Sequence, residues 1–287
     1  MYENKRVKLT IFLMLTALIM LFPLMMTITN SFMSNEEILS SYKTLSNESQ
    51  KEDKSNFFSI KLIPENISIR QYYETLIAKH KFLRMFWNSV FLVTPIVAIQ
   101  VLISSMAAFV FSKIKFKGRD ILFFTYIVIM LMPFQVTLVP NYIVLDKLGL
   151  INNYLAIIFP GAFGAFGVFL LRQFMITIPN EYIEAAMVDG CSLIKIFFKV
   201  ILPLSKGGIA SLAILSFIDN WNMVEQPLIF LNDINKYPLS IYLSKINNME
   251  IGIAFAASVI YMIPMILMFL YGENYLIDGI SHSGIKR

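Results

Sequence analysis

Residues 86–112 read FWNSVFLVTPIVAIQVLISSMAAFVFS, 27 positions without an Asp, Glu, Lys, Arg or His. A charged side chain in hydrocarbon costs several kcal/mol, so such runs mark segments that lie in lipid. A helix rises about 1.5 Å per residue, and about 20 residues cross the roughly 30 Å hydrocarbon core. The run therefore predicts a membrane-crossing helix. Working outward, four more stretches are equally free of charge: 9–30, 121–145, 148–171 and 251–272. A sixth, 207–231, is apolar at both ends and carries Asp219 and Glu225 inside it.

Composition agrees with this reading. The 287 residues are 57% hydrophobic and 15% charged, against about 25% charged in an average globular domain, and mean hydropathy is +0.66. Six helices of about 20 residues use about 120 residues, which leaves room for loops and not for a catalytic domain. The fold class expected is all-α: a polytopic membrane protein of six transmembrane helices with one long cytoplasmic loop. One cysteine, Cys191, and two histidines, His80 and His282, exclude a disulfide scaffold and a structural zinc site.

The net charge of +5, from 24 Lys and Arg against 19 Asp and Glu, is a topology signal and gives no support to nucleic-acid binding. With the N-terminus in the cytoplasm, thirteen basic residues fall in inner segments: three before residue 9, four in 113–119, four in 172–206 and two at the end. The two short outer loops hold only Lys147, Lys236 and Lys245, as the positive-inside rule requires. The long outer segment, 31–85, carries eight basic and seven acidic residues, and long loops translocate despite their charge. Its stretch 40–59, rich in Ser, Asn, Lys and Glu, reads as a linker, and 64–84 has a weak helical pattern in Ile69, Tyr72, Tyr73, Leu76 and Ile77. The first apolar run exceeds the length of a signal-peptide core and no small-residue cleavage site follows, so a retained helix is expected. The organisation is then 1–30 (N-terminus and first span), 31–85 (outer segment), 86–272 (five spans with the loop 172–207) and 273–287 (cytoplasmic tail), in a bacterial plasma membrane with both termini inside.

The loop between the fourth and fifth spans contains IPNEYIEAAMVDGCSLIKIFFKVILPLSKGG, residues 178–208. Asn180 is placed to cap a helix, with Glu181 in its first turn favouring the helix dipole. Gly190 is a candidate left-handed C-cap, Ser192 a cap for a second helix over 193–200, and Pro203 a breaker. At 100° per residue, Tyr182, Ala185, Ala186 and Asp189 share a face, and Ile183 and Met187 another.

This loop resembles that of the membrane subunits of ATP-binding cassette importers, in Glu184-Ala185-Ala186, Asp189-Gly190 and, after Val200-Ile201, Leu202-Pro203. The wider chain is similar to the carbohydrate-uptake branch related to the maltose permease: Asn88-Ser89 opening the second span, Asp219-Asn220-Trp221-Asn222 and Pro227-Leu228 in the fifth, and a tail with glycine and basic residues over 279–287. The resemblance runs from about residue 86 to the end. Gly207 departs from it, since such sequences often have proline there. The resemblance implies that the loop docks on a cytoplasmic ATPase, where Glu184 makes a polar contact, Ala185 and Ala186 permit close packing and Gly190 supplies the turn; the alternative is an amphipathic loop lying on the membrane surface. It implies as partners a second homologous permease subunit, two ATPase subunits and an extracytoplasmic solute-binding protein, besides membrane lipid. It places ATP and Mg in the ATPase, with no cofactor bound by this chain.

Other chemistry is weak. No GxxxxGK[ST] loop occurs. Gly161, Gly164 and Gly167 lie in an apolar span, where small residues allow helices to approach. Cys191 has no histidine near it in sequence, and both histidines read as solvated loop residues. Asp219 and Glu225, with Trp221 and Asn222 between them, are candidates for a translocation path, since carboxylates, amides and an aromatic face suit a saccharide; alternatively Asp219 pairs with a neighbouring helix and Glu225 sits at the interface. The function expected is that of a permease half of an ATP-driven, binding-protein-dependent importer, for a sugar or oligosaccharide, working by alternating access and performing no enzymatic step. The rivals are an importer of the same class for another solute, an ion-coupled secondary transporter, and an intramembrane enzyme, for which no set of catalytic groups stands out.

Overall fold

The computed structural model describes residues 2–42, 63–78, 80–244 and 251–284; most of the linker 40–59, and the last three residues of the tail, lie outside them. Every regular element among the described residues is helical. In lipid the backbone has no water to bond, and a helix satisfies its amides within one segment. That constraint overrides the strand preference of the Val- and Ile-rich runs. Hydroxyls inside the spans are satisfied the same way: Thr16 donates to the carbonyl of Phe12 at 2.9 Å, and Thr27 to that of Pro23 at 2.9 Å.

The chain divides into two compact units. The first, residues 1–83 and 242–264, contains α1 (Tyr2–Ser31), α2 (Asn35–Tyr42) and α3 (Arg70–Tyr73), which runs into a π-helical turn, Glu74–Ala78. Residues 5–29 of α1 include none that is buried, so its apolar surface faces outward all round. The end of α1 is different. Ser31 Oγ lies 2.7 Å from the Tyr72 hydroxyl, Gln71 Nε2 donates to the carbonyl of Met33, and the Glu65 amide donates to Glu37 Oε1 at 2.9 Å. Helical structure does occur in the segment with the weak pattern, and it is knotted to the end of α1 by side chains.

The second unit, residues 84–241 and 265–287, holds most of α4 (His80–Lys113), then α5 (Arg119–Met130), α6 (Phe134–Lys147), α7 (Leu155–Ala162) and α8 (Ala165–Thr177). The loop follows with α9 (Glu181–Val188), α10 (Leu193–Ile196) and α11 (Leu202–Leu204). The unit continues with α12 (Lys206–Trp221) and α13 (Glu225–Phe230), the start of α14 (Leu239–Ser244), and the latter part of α15 (Ile251–Gly284). Four stretches are long and apolar enough to cross a membrane, and six if each of two bent pairs counts as one.

The bends depart from the uninterrupted spans expected from sequence. The third span turns by 101° between α5 and α6, at Met132-Pro133, where proline pushes its predecessor out of the helical region. The fifth is split at residues 222–224, between α12 and α13. A continuous helix would set the Pro227 ring against the carbonyl of Met223; that carbonyl instead accepts a hydrogen bond from Ser240 Oγ. Asp219, expected near the middle of its span, therefore stands in the last turn of α12.

The three glycines of the fourth span pack as close-approach residues. A Cβ on Gly161 would meet the Ile96 side chain at 3.0 Å, one on Gly164 would collide with Gln100 Nε2, and one on Gly167 with Ser104 Oγ. They lie three residues apart and meet residues four apart on α4, so one ridge settles along the other helix. Gly208 of α12 is equally tight, against the Phe174 ring, whereas Gly207 has nothing within 4 Å. Gly207 stands in the first helical turn, where the proline common in similar sequences fits without losing a helix bond. Gly167→Leu is expected to cost about 1–3 kcal/mol through overpacking and to lower the thermal midpoint of the purified protein by several degrees. Gly207→Ala should leave the midpoint unchanged or raised.

Candidate functional site

The loop after α8 is rooted by apolar side chains. Ile183 of α9 is buried with Phe109, Leu171, Met175, Ile196 and Phe197, which come from α4, α8 and the segment after α9. Ala186 and Cys191 pack half-buried against the same cluster. The alanine pair is thus divided: Ala186 faces inward and Ala185 outward, beside exposed Tyr182, Glu184, Met187 and Asp189. Val188 is 89% exposed. Leu202 packs against the cluster, and Pro203 is exposed.

Gly190 has φ +76°, a conformation that costs other residues roughly 1 kcal/mol. Its amide donates to the carbonyl of Met187 at 3.0 Å and the Cys191 amide to that of Ala186 at 3.0 Å, the paired bonds of a Schellman cap. Ser192 Oγ accepts from the Lys195 amide at 3.4 Å, as its capping role requires. Two expectations change. The Asn180 side chain makes no cap bond to α9; its Oδ1 accepts from Lys113 Nζ at 3.2 Å, and the same ammonium donates to the carbonyl of Ile178. Pro203 does not end the second helix. It follows a π-helical turn, Phe197–Ile201, whose wider winding accommodates a residue with no N–H to donate, and the 76° bend comes later, before α12. Nearby, Arg172 lies 3.8 Å over the Phe123 ring and donates from Nε to the carbonyl of Phe111 at 3.3 Å. The ends of α4 and α8 are therefore bound together where the loop departs.

A cavity of about 740 Å³ opens elsewhere in the same unit, lined by parts of α4 to α8, α12 and α13. Its polar groups include Gln100, Asn141, Ser216, Asp219, Asn220 and Gln226. Ser216 Oγ donates to Gln100 Oε1, and Asn220 Nδ2 donates to the Ser216 carbonyl at 2.8 Å and its hydroxyl at 3.3 Å. Gly161 and Gly164 are part of the lining, so the close approach of α4 and α8 also shapes this wall.

Of the four residues singled out in the fifth span, Asp219 alone lines the cavity. Trp221 is 1% exposed, edge-on to Phe86 at 5.8 Å and stacked on Phe217 at 5.3 Å; it is a packing residue. Asn222 is exposed and donates to the carbonyl of Ile218 at 2.8 Å, and Glu225, also exposed, accepts from Gln135 Nε2 at 3.4 Å. Sequence reasoning missed Gln100 and Ser216. The available signal was an amide in the middle of the run 86–112, a polar group that needs a partner. Asn88 and Ser89 also find a purpose: Asn88 Nδ2 donates to the carbonyls of Asn235 and Tyr237 at 2.7 and 3.0 Å, and Ser89 Oγ accepts from the Leu239 amide at 2.8 Å, which ties the segment after α13 to α4.

Residues 75–275 match the family profile described as binding-protein-dependent transport system inner membrane component. The chain is 30% identical to the arabinooligosaccharides transport system permease protein AraQ of Halalkalibacterium halodurans, over 97% of this chain and 95% of that one. It is 28% identical to the polygalacturonan/rhamnogalacturonan transport system permease protein YtcP of Bacillus subtilis, over 96% of each. In fold it is similar to a chain of the crystal structure of a bacterial ABC transporter involved in the import of the acidic polysaccharide alginate, with a TM-score of 0.80, 23% identity, and coverage of 95% of this chain and 96% of that one.

Lys113→Met removes the ammonium that holds Ile178 and Asn180. A charge-assisted bond of this kind, discounted for its partial exposure, contributes about 1 kcal/mol. Amide exchange over α9 should then quicken about fivefold in hydrogen-exchange mass spectrometry, while Lys113→Arg keeps most of the protection.

Proposed function

Because the chain belongs to the family of binding-protein-dependent transport system inner membrane components, a family of transport permease subunits and not of enzymes, we propose that it forms one half of the membrane pathway of an ATP-driven importer of saccharides. The observation that carries this reading is α9, a short helix rooted by Ile183 with its other faces exposed. Tyr182, Met187, Val188, Ile194 and Phe198 are large apolar side chains left exposed in a loop between spans; exposed apolar side chains of this kind suit a protein or a membrane contact, and the family membership favours the protein.

In this reading the partner is a cytoplasmic ATPase. Tyr182, Ala185 and Val188 are the contact face, Glu184 and Asp189 give it polar register, and Gly190, with Leu202 and Pro203 behind it, fixes the angle between the two parts of the loop. Two ATPase subunits hold the ATP and Mg, a second homologous permease completes the pathway, and an extracytoplasmic binding protein delivers the solute. ATP binding draws the paired loops together, the spans pass from inward-facing to outward-facing, and hydrolysis resets them. The N- and C-termini face the cytoplasm of a bacterial cell, with 172–207 as the inner loop and 31–85 as the outer segment. Support for a saccharide comes from the names of the relatives and from the amides, hydroxyls and carboxylate of the cavity, which together donate to and accept from sugar hydroxyls. Asp219 is the candidate path residue; Asn222 and Glu225 follow it in sequence outside the cavity lining, and Trp221 packs on Phe86 and Phe217.

Gly190→Asp and Glu184→Lys should each reduce ATP-dependent saccharide uptake to background while the chain remains in the membrane fraction. Among the described residues none lies within 4 Å of the Cβ that Gly190→Asp adds, but the left-handed backbone there strains any side chain, so Glu184→Lys, on an exposed helical position, is the variant that reports on the partner alone. Unimpaired uptake by both variants would remove the docking role, and uptake that follows an ion gradient in place of ATP would replace the whole reading.

A further inference from the structure

Among the described residues lining the cavity, Asp219 is the only ionisable one; the remaining polar groups are neutral amides and hydroxyls. No Lys, Arg or His lines it, and Asp219 has no ion-pair partner among the described residues. Its position offers no structural reason for an acid: it stands in the last turn of α12, where the helix dipole disfavours negative charge. Part of the lining is held by hydrogen bonds. Ser216 bonds Gln100, Asn220 bonds Ser216, and Gly164 leaves the space that the Gln100 amide occupies. A lining of neutral donors and acceptors with a single carboxylate suits hydroxyls better than anions.

On these grounds we infer that this cavity selects uncharged saccharides against anionic ones, with Asp219 as the residue that sets the sign. The inference rests on the saccharide reading above and adds the charge of the cargo to it. A uronate carboxylate brought within about 6 Å of Asp219 in a half-wet cavity meets enough repulsion to weaken binding about 100-fold. Esterifying the uronate removes that repulsion without changing the ring.

The test uses the complete importer in nanodiscs with the binding protein omitted, so that its own selectivity does not enter. Binding is read by saturation-transfer NMR with trigalacturonate, its trimethyl ester and neutral arabinotriose. The wild type is expected to bind the ester and arabinotriose, and trigalacturonate at least tenfold more weakly than the ester. Asp219→Asn should narrow that gap, and Asp219→Lys should reverse it; the near-isosteric Asn variant covers the case in which the Lys variant does not fold. Equal binding of trigalacturonate and its ester by the wild type, or an unchanged ratio in Asp219→Asn, would overturn the inference and leave the saccharide reading standing. Binding of none of the three probes by a wild-type importer that still hydrolyses ATP would overturn the inference, while ATP-dependent uptake of no saccharide with the binding protein restored would overturn the saccharide reading.

Discussion

The contact on which the second unit depends is the seating of α8 and the end of α7 against α4. In lipid, apolar surface gains nothing by leaving one hydrocarbon for another, so helices associate by close packing and by hydrogen bonds made at short range. Gly161, Gly164 and Gly167 supply the closeness, and Ile96, Gln100 and Ser104 fill the space they leave. Several ties that hold the candidate regions of the unit lie along the same helix. Asn88 and Ser89 hold the segment after α13, Gln100 anchors the cavity wall, and Phe109 and Lys113 hold the root of α9. The root of α9 and the cavity wall are thus anchored on one helix, the first through an apolar cluster and an ammonium, the second through Gln100.

Charge placement made the spans legible, because the penalty for a charge in hydrocarbon is large and local. Where a span breaks is a different matter. Pro23, Pro95 and Pro264 lie within continuous helices, while Pro133 and Pro227 accompany interruptions. The same ring has opposite outcomes, and at Pro227 the carbonyl that a continuous helix would set against the ring has another donor. For Met223 the donor is Ser240, seventeen residues on, and no local pattern announces it. The loop was legible for the converse reason: Gly190, Ser192 and the helix between Asn180 and Gly190 act on near neighbours. Even there the Asn180 side chain went to Lys113, 67 residues away in sequence, and not to its own helix.

The cavity was half legible. Asp219 is conspicuous as an acid in an apolar run, and Trp221 and Asn222 adjoin it only in sequence. A helix turns by about 100° per residue, so neighbours in sequence look in different directions: Asp219 and Asn220 face the cavity, and Trp221 turns back to Phe86 and Phe217. The true companions of Asp219 are Ser216, one turn earlier, and Gln100, 116 residues from Ser216. Sequence reading finds unusual residues well and finds their companions only where the helical period brings them together.

Cys191 stands directly behind the Gly190 turn, half-buried, and it is the one thiol in the 287 residues. A maleimide fluorophore or nitroxide attached to the native chain would thus report from a single position, at the hinge of the loop and beside its apolar root. Spectroscopy could follow that hinge through a nucleotide cycle with no cysteine removed from this subunit and none introduced.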